Sequence, residues 1–95
     1  MKKHLLKTWP VYFDLLWNDR KNCEIRFDDR GYSVGDALDL REWDPSEKQY
    51  TGRYVGALVT HIFHNIPGLQ RGYCLLIMEI VTKEDDPNYR EDVPA

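Results

Sequence analysis

Two short stretches, RKNCEIRF at 20–27 and DLREWD at 39–44, concentrate the side chains best suited to chemistry. Both read as strands. In the first, Cys23, Ile25 and Phe27 alternate with Asn22, Glu24 and Arg26, so one face is apolar and the other polar. In the second, Leu38 and Leu40 alternate with Asp39, Arg41 and Trp43. Asp28-Asp29-Arg30-Gly31 and Val34-Gly35-Asp36 supply reversals between them, which predicts a two-faced hairpin. Its polar face would carry Glu24, Arg26, Arg41 and Trp43, with Lys21 at the edge. Cations, a carboxylate and a flat ring suit a planar, hydrogen-bonding and often anionic ligand, such as a nucleobase or nucleotide. The same residues also fit a second reading, solvated ion pairs on the outside of a small β domain.

Other chemistries are poorly served. The only serines, Ser33 and Ser46, fall in turns, and there is neither a Gly-rich phosphate loop nor a G-x-S-x-G elbow. His61 and His64 form H-x-x-H at the end of a strand pattern, where a spacing of three points side chains to opposite faces. With no third His or Cys nearby in sequence, no zinc site is expected. Cys23 and Cys74 lie singly inside apolar strand patterns and read as reduced core residues, not as a disulfide or a catalytic thiol. No cofactor is implied.

The positioning elements follow from periodicity. KHLLK at 3–7 reads as a short strand. Thr8-Trp9-Pro10 reads as a helix start, with a hydroxyl near the cap and Pro in the first turn. Trp9, Tyr12, Phe13 and Leu16 then mark one helical face, expected to plug the end of a barrel, with a stacking platform as the alternative. Strands follow from Ala37 to Trp43, over roughly 53–63 with Gly56 as a candidate bulge, and from Tyr73 to Val81. The fold class is mostly β (α+β): a pseudo-β-barrel of five to six mainly antiparallel strands with one or two short helices.

Ninety-five residues, 42% apolar and 13% aromatic, suffice for one core without disulfides. Residues 1–83 hold twelve Lys/Arg against eleven Asp/Glu, whereas 84–95 hold five acids against Arg90 alone. The expected division is a domain at 1–83 and a mobile acidic tail at 84–95. A near-neutral body cannot grip a long phosphate backbone by charge, so any nucleic-acid contact must be local, in a cleft. No apolar run has membrane-spanning length, and Lys7 and Pro10 break up the basic start MKKHLLK before a signal-peptide core could form. A cytoplasmic monomer that touches neither membrane nor metal is expected.

The order R-K-x-x-E-I-R, then V-G-D-x-L-x-L-R-E-W-D, Tyr50-Thr51-Gly52-Arg53 and Gly72-Tyr73 resembles the ASCH branch of the PUA-like superfamily, in particular a small ASCH-related family of bacteria and phages. The resemblance runs from about His4 to Val81. It implies a PUA-like barrel in which the helix and the Lys21–Arg26 strand border a cleft for RNA or nucleotides. On that basis Lys21, Arg26 and Arg41 would hold phosphate or carbonyl oxygens. Glu24 would accept from an exocyclic amine, and Trp43 or Trp9 would stack on the base. Some ASCH proteins deacylate a modified cytidine with a Lys, a Thr three residues later and a distant Glu. Lys21 matches the Lys, but Glu24 occupies the Thr position and the distant Glu has no counterpart. A small amidohydrolase using Lys21 and Glu24 is therefore the alternative, and a phage-type accessory protein acting through protein contacts is a second.

Overall fold

The computed structural model describes residues 1–89. The elements run β1 (Lys3–Thr8), α1 (Pro10–Trp17), β2 (Cys23–Phe27), β3 (Ala37–Asp44), β4 (Gln49–Phe63) and β5 (Tyr73–Asp85). They form one five-stranded sheet in the order β1-β3-β4-β5-β2, curled into a half-barrel. β1 runs parallel to β3, and every other pairing is antiparallel. The fold is therefore mostly β, as the strand patterns predict.

Curling needs local breaks in register, and three occur: between Arg41 and Trp43, between Gly56 and Ala57, and between Val59 and His61. Each bulge adds twist to its strand. Gly56 is at a bulge for a steric reason, because a Cβ there would lie 2.5 Å from the Thr82 hydroxyl. The concave side is filled by Leu6, Leu38, Leu40, Val55, Val59 and Leu76, with Phe13 and Leu16 of α1 closing one end. Pro10 opens α1 at its first turn, but Trp9, not Thr8, is the N-cap, and no side chain caps the helix. The expected aromatic stripe divides accordingly. Phe13 and Leu16 are buried, while Trp9 and Tyr12 stand half-exposed at the rim.

The hairpin predicted between 20 and 44 does not form. β2 pairs with β5, and β3 pairs with β1 and β4, so residues 28–36 cross from one end of the sheet to the other. Asp36 ties this crossing down. Its carboxylate accepts from the His4 ring at 2.8 Å, from Ser33 N–H at 3.0 Å and from Lys2 N–H at 3.1 Å.

The division after Lys83 also needs correction. β5 continues through Glu84 and Asp85, which pair with Tyr54 and Arg53. The next residues fold back over β3 and β4. Asp86 N–H donates to the Gly52 carbonyl, and the Tyr89 ring lies 3.3 Å from the Arg41 guanidinium and 4.9 Å from the Tyr54 ring. Gly52, with φ of 101°, leaves room for this return, since a Cβ would collide with the Asp86 carbonyl. The rest of the expected tail, 90–95, lies outside the described residues.

Candidate functional site

The two ends of the sheet, β1 and β2, approach each other without a backbone ladder. Arginine side chains bridge the gap instead. Arg26 Nη2 donates to the Lys7 carbonyl at 3.0 Å, and Arg30 Nη1 donates to the Leu5 carbonyl at 2.7 Å. Leu5 and Lys7 are two apart, so both carbonyls point to the same unpaired edge of β1. Above this seam, towards α1, lies a cleft of about 600 Å³. Lys7, Thr8, Trp9 and Tyr12 line it on one side, and Lys21, Cys23, Glu24, Ile25 and Arg26 on the other.

Glu24 is the fixed point of this cleft. It opposes Leu76 on β5, and directly opposed residues share a face, so its carboxylate is on the concave side among core residues. Lys21 Nζ bonds one oxygen and Arg26 Nε the other, at 3.1 Å for the latter. A carboxylate offers about four acceptor sites, so two remain for a ligand. Three cations, Lys7, Lys21 and Arg26, and one carboxylate, Glu24, thus line the cleft, with Lys7 on the side opposite the other three. Lys21 also lies 5.9 Å from the centre of the Tyr12 ring. The Thr8 hydroxyl completes the set: its oxygen is buried and has no hydrogen-bond partner among the described residues. Burying a hydroxyl without a partner costs about 1–3 kcal/mol, a cost that a bound ligand could offset.

A family model described as a domain of unknown function, DUF3850, matches residues 3–80. The chain belongs to this family. It is also similar to an uncharacterized 12.9 kDa protein in the GpA 3′ region of Escherichia phage P2, 41% identical over 61 residues. That match takes in 64% of this chain and 54% of the relative, so it spans about half of the relative's length. The DUF3850 match includes every residue that lines the cleft.

Within this DUF3850 domain, four of the six expected ligand residues come together: Trp9, Lys21, Glu24 and Arg26. The reason differs from the one periodicity suggested. Ile25 and Phe27, expected in the core, are exposed on the convex side, and Glu24 and Arg26 take the concave side. Alternation predicts two faces but not which one turns inward. Pairing to β5 decides that, by setting Glu24 and Arg26 opposite Leu76 and Cys74. Cys23, also expected in the core, is half-buried in the cleft wall, while Cys74 is fully buried and both thiols are free. Burial pushes the Cys74 thiol above its usual pKa, which suits a core residue and not a nucleophile.

Arg41 and Trp43 are not in the cleft. Arg41 is only 2% exposed, bonded to Asp39 at 2.8 Å and covered by Tyr54 and Tyr89. It is held on the far face of β3 by the C-terminal return. Trp43 follows the bulge, packs edge-on to Tyr50 at 4.9 Å, and carries the Lys7 ammonium 4.0 Å above its ring. Trp43 thus bears on the cleft only through Lys7. Sequence reasoning missed Thr8 because it read that residue as part of the helix start. β1 instead runs through Thr8, and its alternation turns Thr8 inward with His4 and Leu6. Lys7 went unnoticed as an ordinary exposed strand residue.

A second polar cluster anchors α1. Glu42, buried, accepts from the Thr51 hydroxyl at 2.8 Å and from Arg53 Nη2 at 2.8 Å, while Arg53 also reaches Asp14 at 3.2 Å. Donating to Glu42 raises the Arg53 pKa further, so the guanidinium stays charged. It ties helix to sheet and faces no cavity among those described.

Proposed function

We propose that the cleft between β1 and β2 binds the base and adjoining anionic group of an RNA or nucleotide-like ligand. The observation that carries this reading is the unpartnered, buried Thr8 hydroxyl in a cleft that also presents Glu24 and Lys21. A nucleobase offers neighbouring donors and acceptors in one plane. Glu24 accepts from an exocyclic amine, Thr8 bonds a ring nitrogen or carbonyl, and Lys21 and Lys7 face the phosphate or ribose. Trp9 and Tyr12 at the rim give the ring a surface to stack on, worth about 1–3 kcal/mol per base. Arg26 serves mainly to hold Glu24 and the seam. In this reading the domain is an ASCH-type, PUA-like module that works as a monomer in the cytoplasm. The described residues include no helix long and apolar enough to cross a membrane.

Fluorescence titration with short single-stranded RNAs and free nucleotides tests this reading, because Trp9 lines the cleft and Trp17 packs nearby on Phe13. Saturable binding that weakens in Lys21→Ala is the expected result. Equal affinity for wild type and Lys21→Ala, or no binding to any nucleotide or RNA, would defeat it.

A second reading, a small amidohydrolase on an acylated nucleoside, is favoured by one specific observation. A hydroxyl absent from position 24 enters the same cleft from β1, as Thr8, alongside Lys21 and Glu24. Turnover of an N-acylated cytidine by wild type, lost in both Thr8→Val and Glu24→Gln, would select this reading over simple binding.

A further inference from the structure

At the end of the sheet away from α1, three neighbouring strands, β4, β5 and β2, bring together groups that sequence reasoning kept apart. His64 follows the last residue of β4, and Asp28 follows the last residue of β2. Cys74 lies between them near the start of β5, where Phe63 pairs with Leu75 and Phe27 with Tyr73. The ligand atoms of Asp28, His64 and Cys74 all lie within 4.8 Å of one another. His64 Nε2 and Asp28 Oδ2 are 3.1 Å apart, and the second Asp28 oxygen accepts from Tyr32 N–H at 3.3 Å, which orients the carboxylate.

We propose that Asp28, His64 and Cys74 form a binding site for a soft divalent cation, with Zn²⁺ as the preferred ion. Thiolate and imidazole together select Zn²⁺ over Mg²⁺ or Ca²⁺, which favour all-oxygen sets. Ligand atoms around tetrahedral Zn²⁺ stand about 3–4 Å apart, given bonds of about 2.0–2.3 Å, so the cluster needs little movement to close on the ion. Cys74 is fully buried and Asp28 partly so, while His64 is half-exposed, so the approach for the ion is from the His64 side. The Asp28–Tyr32 bond serves as the outer support that metal sites require. Three protein ligands leave a fourth position for water. The spacing of His61 and His64 gave no hint of this, because the partners are Asp28 and Cys74, reached only through strand pairing.

The test is a Zn²⁺ titration of the full chain by calorimetry, with Co²⁺ substitution read by absorption. Expected are one bound ion, a thiolate-to-Co²⁺ charge-transfer band and a rise in melting temperature with Zn²⁺. His64→Asn, a change at an exposed position that leaves the core intact, should weaken Zn²⁺ by a factor of about 100 or more. Cys74→Ala should remove the charge-transfer band, and His61→Asn should leave affinity unchanged. Absence of Zn²⁺ binding in wild type, a Co²⁺ spectrum without the thiolate band, or affinity unaltered by His64→Asn would each overturn the proposal.

Discussion

Thr8 and Glu24 are expected to respond oppositely to substitution. Thr8→Val keeps the shape and removes a hydroxyl without a partner, so the variant should melt higher, by up to about 1 kcal/mol in stability, while ligand affinity falls. Paired melting and binding measurements check this, and lower stability in Thr8→Val would mean that the hydroxyl is bonded in solution. Lys21→Ala should cost about 1–3 kcal/mol of affinity, the range for a charge-assisted hydrogen bond, and Glu24→Gln less, since it keeps one acceptor. Glu24→Gln also leaves Lys21 and Arg26 facing each other without their shared carboxylate, so its stability needs recording beside its affinity. Asp36 is a separate case. Hydrogen bonds from His4 and from the Lys2 and Ser33 amides hold its carboxyl at a pKa of about 2, below the usual 3.8. A carboxyl with a lower pKa when folded stabilises the fold fully above about pH 4, and that contribution is lost as pH falls towards 2. Asp36→Asn should therefore be less stable than wild type at pH 7 and should lose less on acidification. Urea midpoints at pH 7, 4 and 2.5, roughly spanning the window, test it; parallel curves would contradict the assignment.

Among the elements, the C-terminal return and the arginine seam each carry an expectation. Removing 86–95 strips Tyr89 from Arg41 and uncovers a buried Asp39–Arg41 pair, so the melting temperature should drop by more than about 5 °C. An unchanged midpoint would restore the sequence-based view of a dispensable tail. At the seam, Arg30→Met removes the donor to the Leu5 carbonyl without touching the cleft lining. Hydrogen exchange should then quicken in β1 more than in β4. Much of this layer was legible beforehand. All five strands and the one helix follow from their periods, and Gly56 from its place inside an apolar run. What stayed hidden was partnership. The bonds that place β2 beside β5 link residues some fifty positions apart, and nothing in CEIRF specifies which neighbour it takes. The sequence therefore pointed to four cleft residues, while Arg41 and Trp43 were grouped with Glu24 and Arg26 on a shared hairpin face that does not form, and Lys7 and Thr8 went unnoticed.

For the whole molecule, the decisive property is that two of the four strand pairings, β1 with β3 and β2 with β5, join segments distant along the chain. Lys3 meets Ala37 and Cys23 meets Ile77, and the first of these pairs is parallel. Loops must close before either contact is gained, so refolding should take roughly milliseconds to seconds, not microseconds. Stopped-flow refolding from urea measures this directly, and a sub-millisecond phase of full amplitude would show that local structure dominates instead.

The arginine-bridged seam has one more implication. A guest lodged between Thr8 and Glu24 would occupy the place of a missing rung, tethering the first and last strands of the sheet order as a hoop closes a barrel. Its binding energy would then be felt by the whole fold, adding about 2.7 kcal/mol at a hundredfold excess over Kd. A melting-temperature survey of nucleosides, nucleotides and short RNAs could thus find the natural guest with no assay for what the protein does to it.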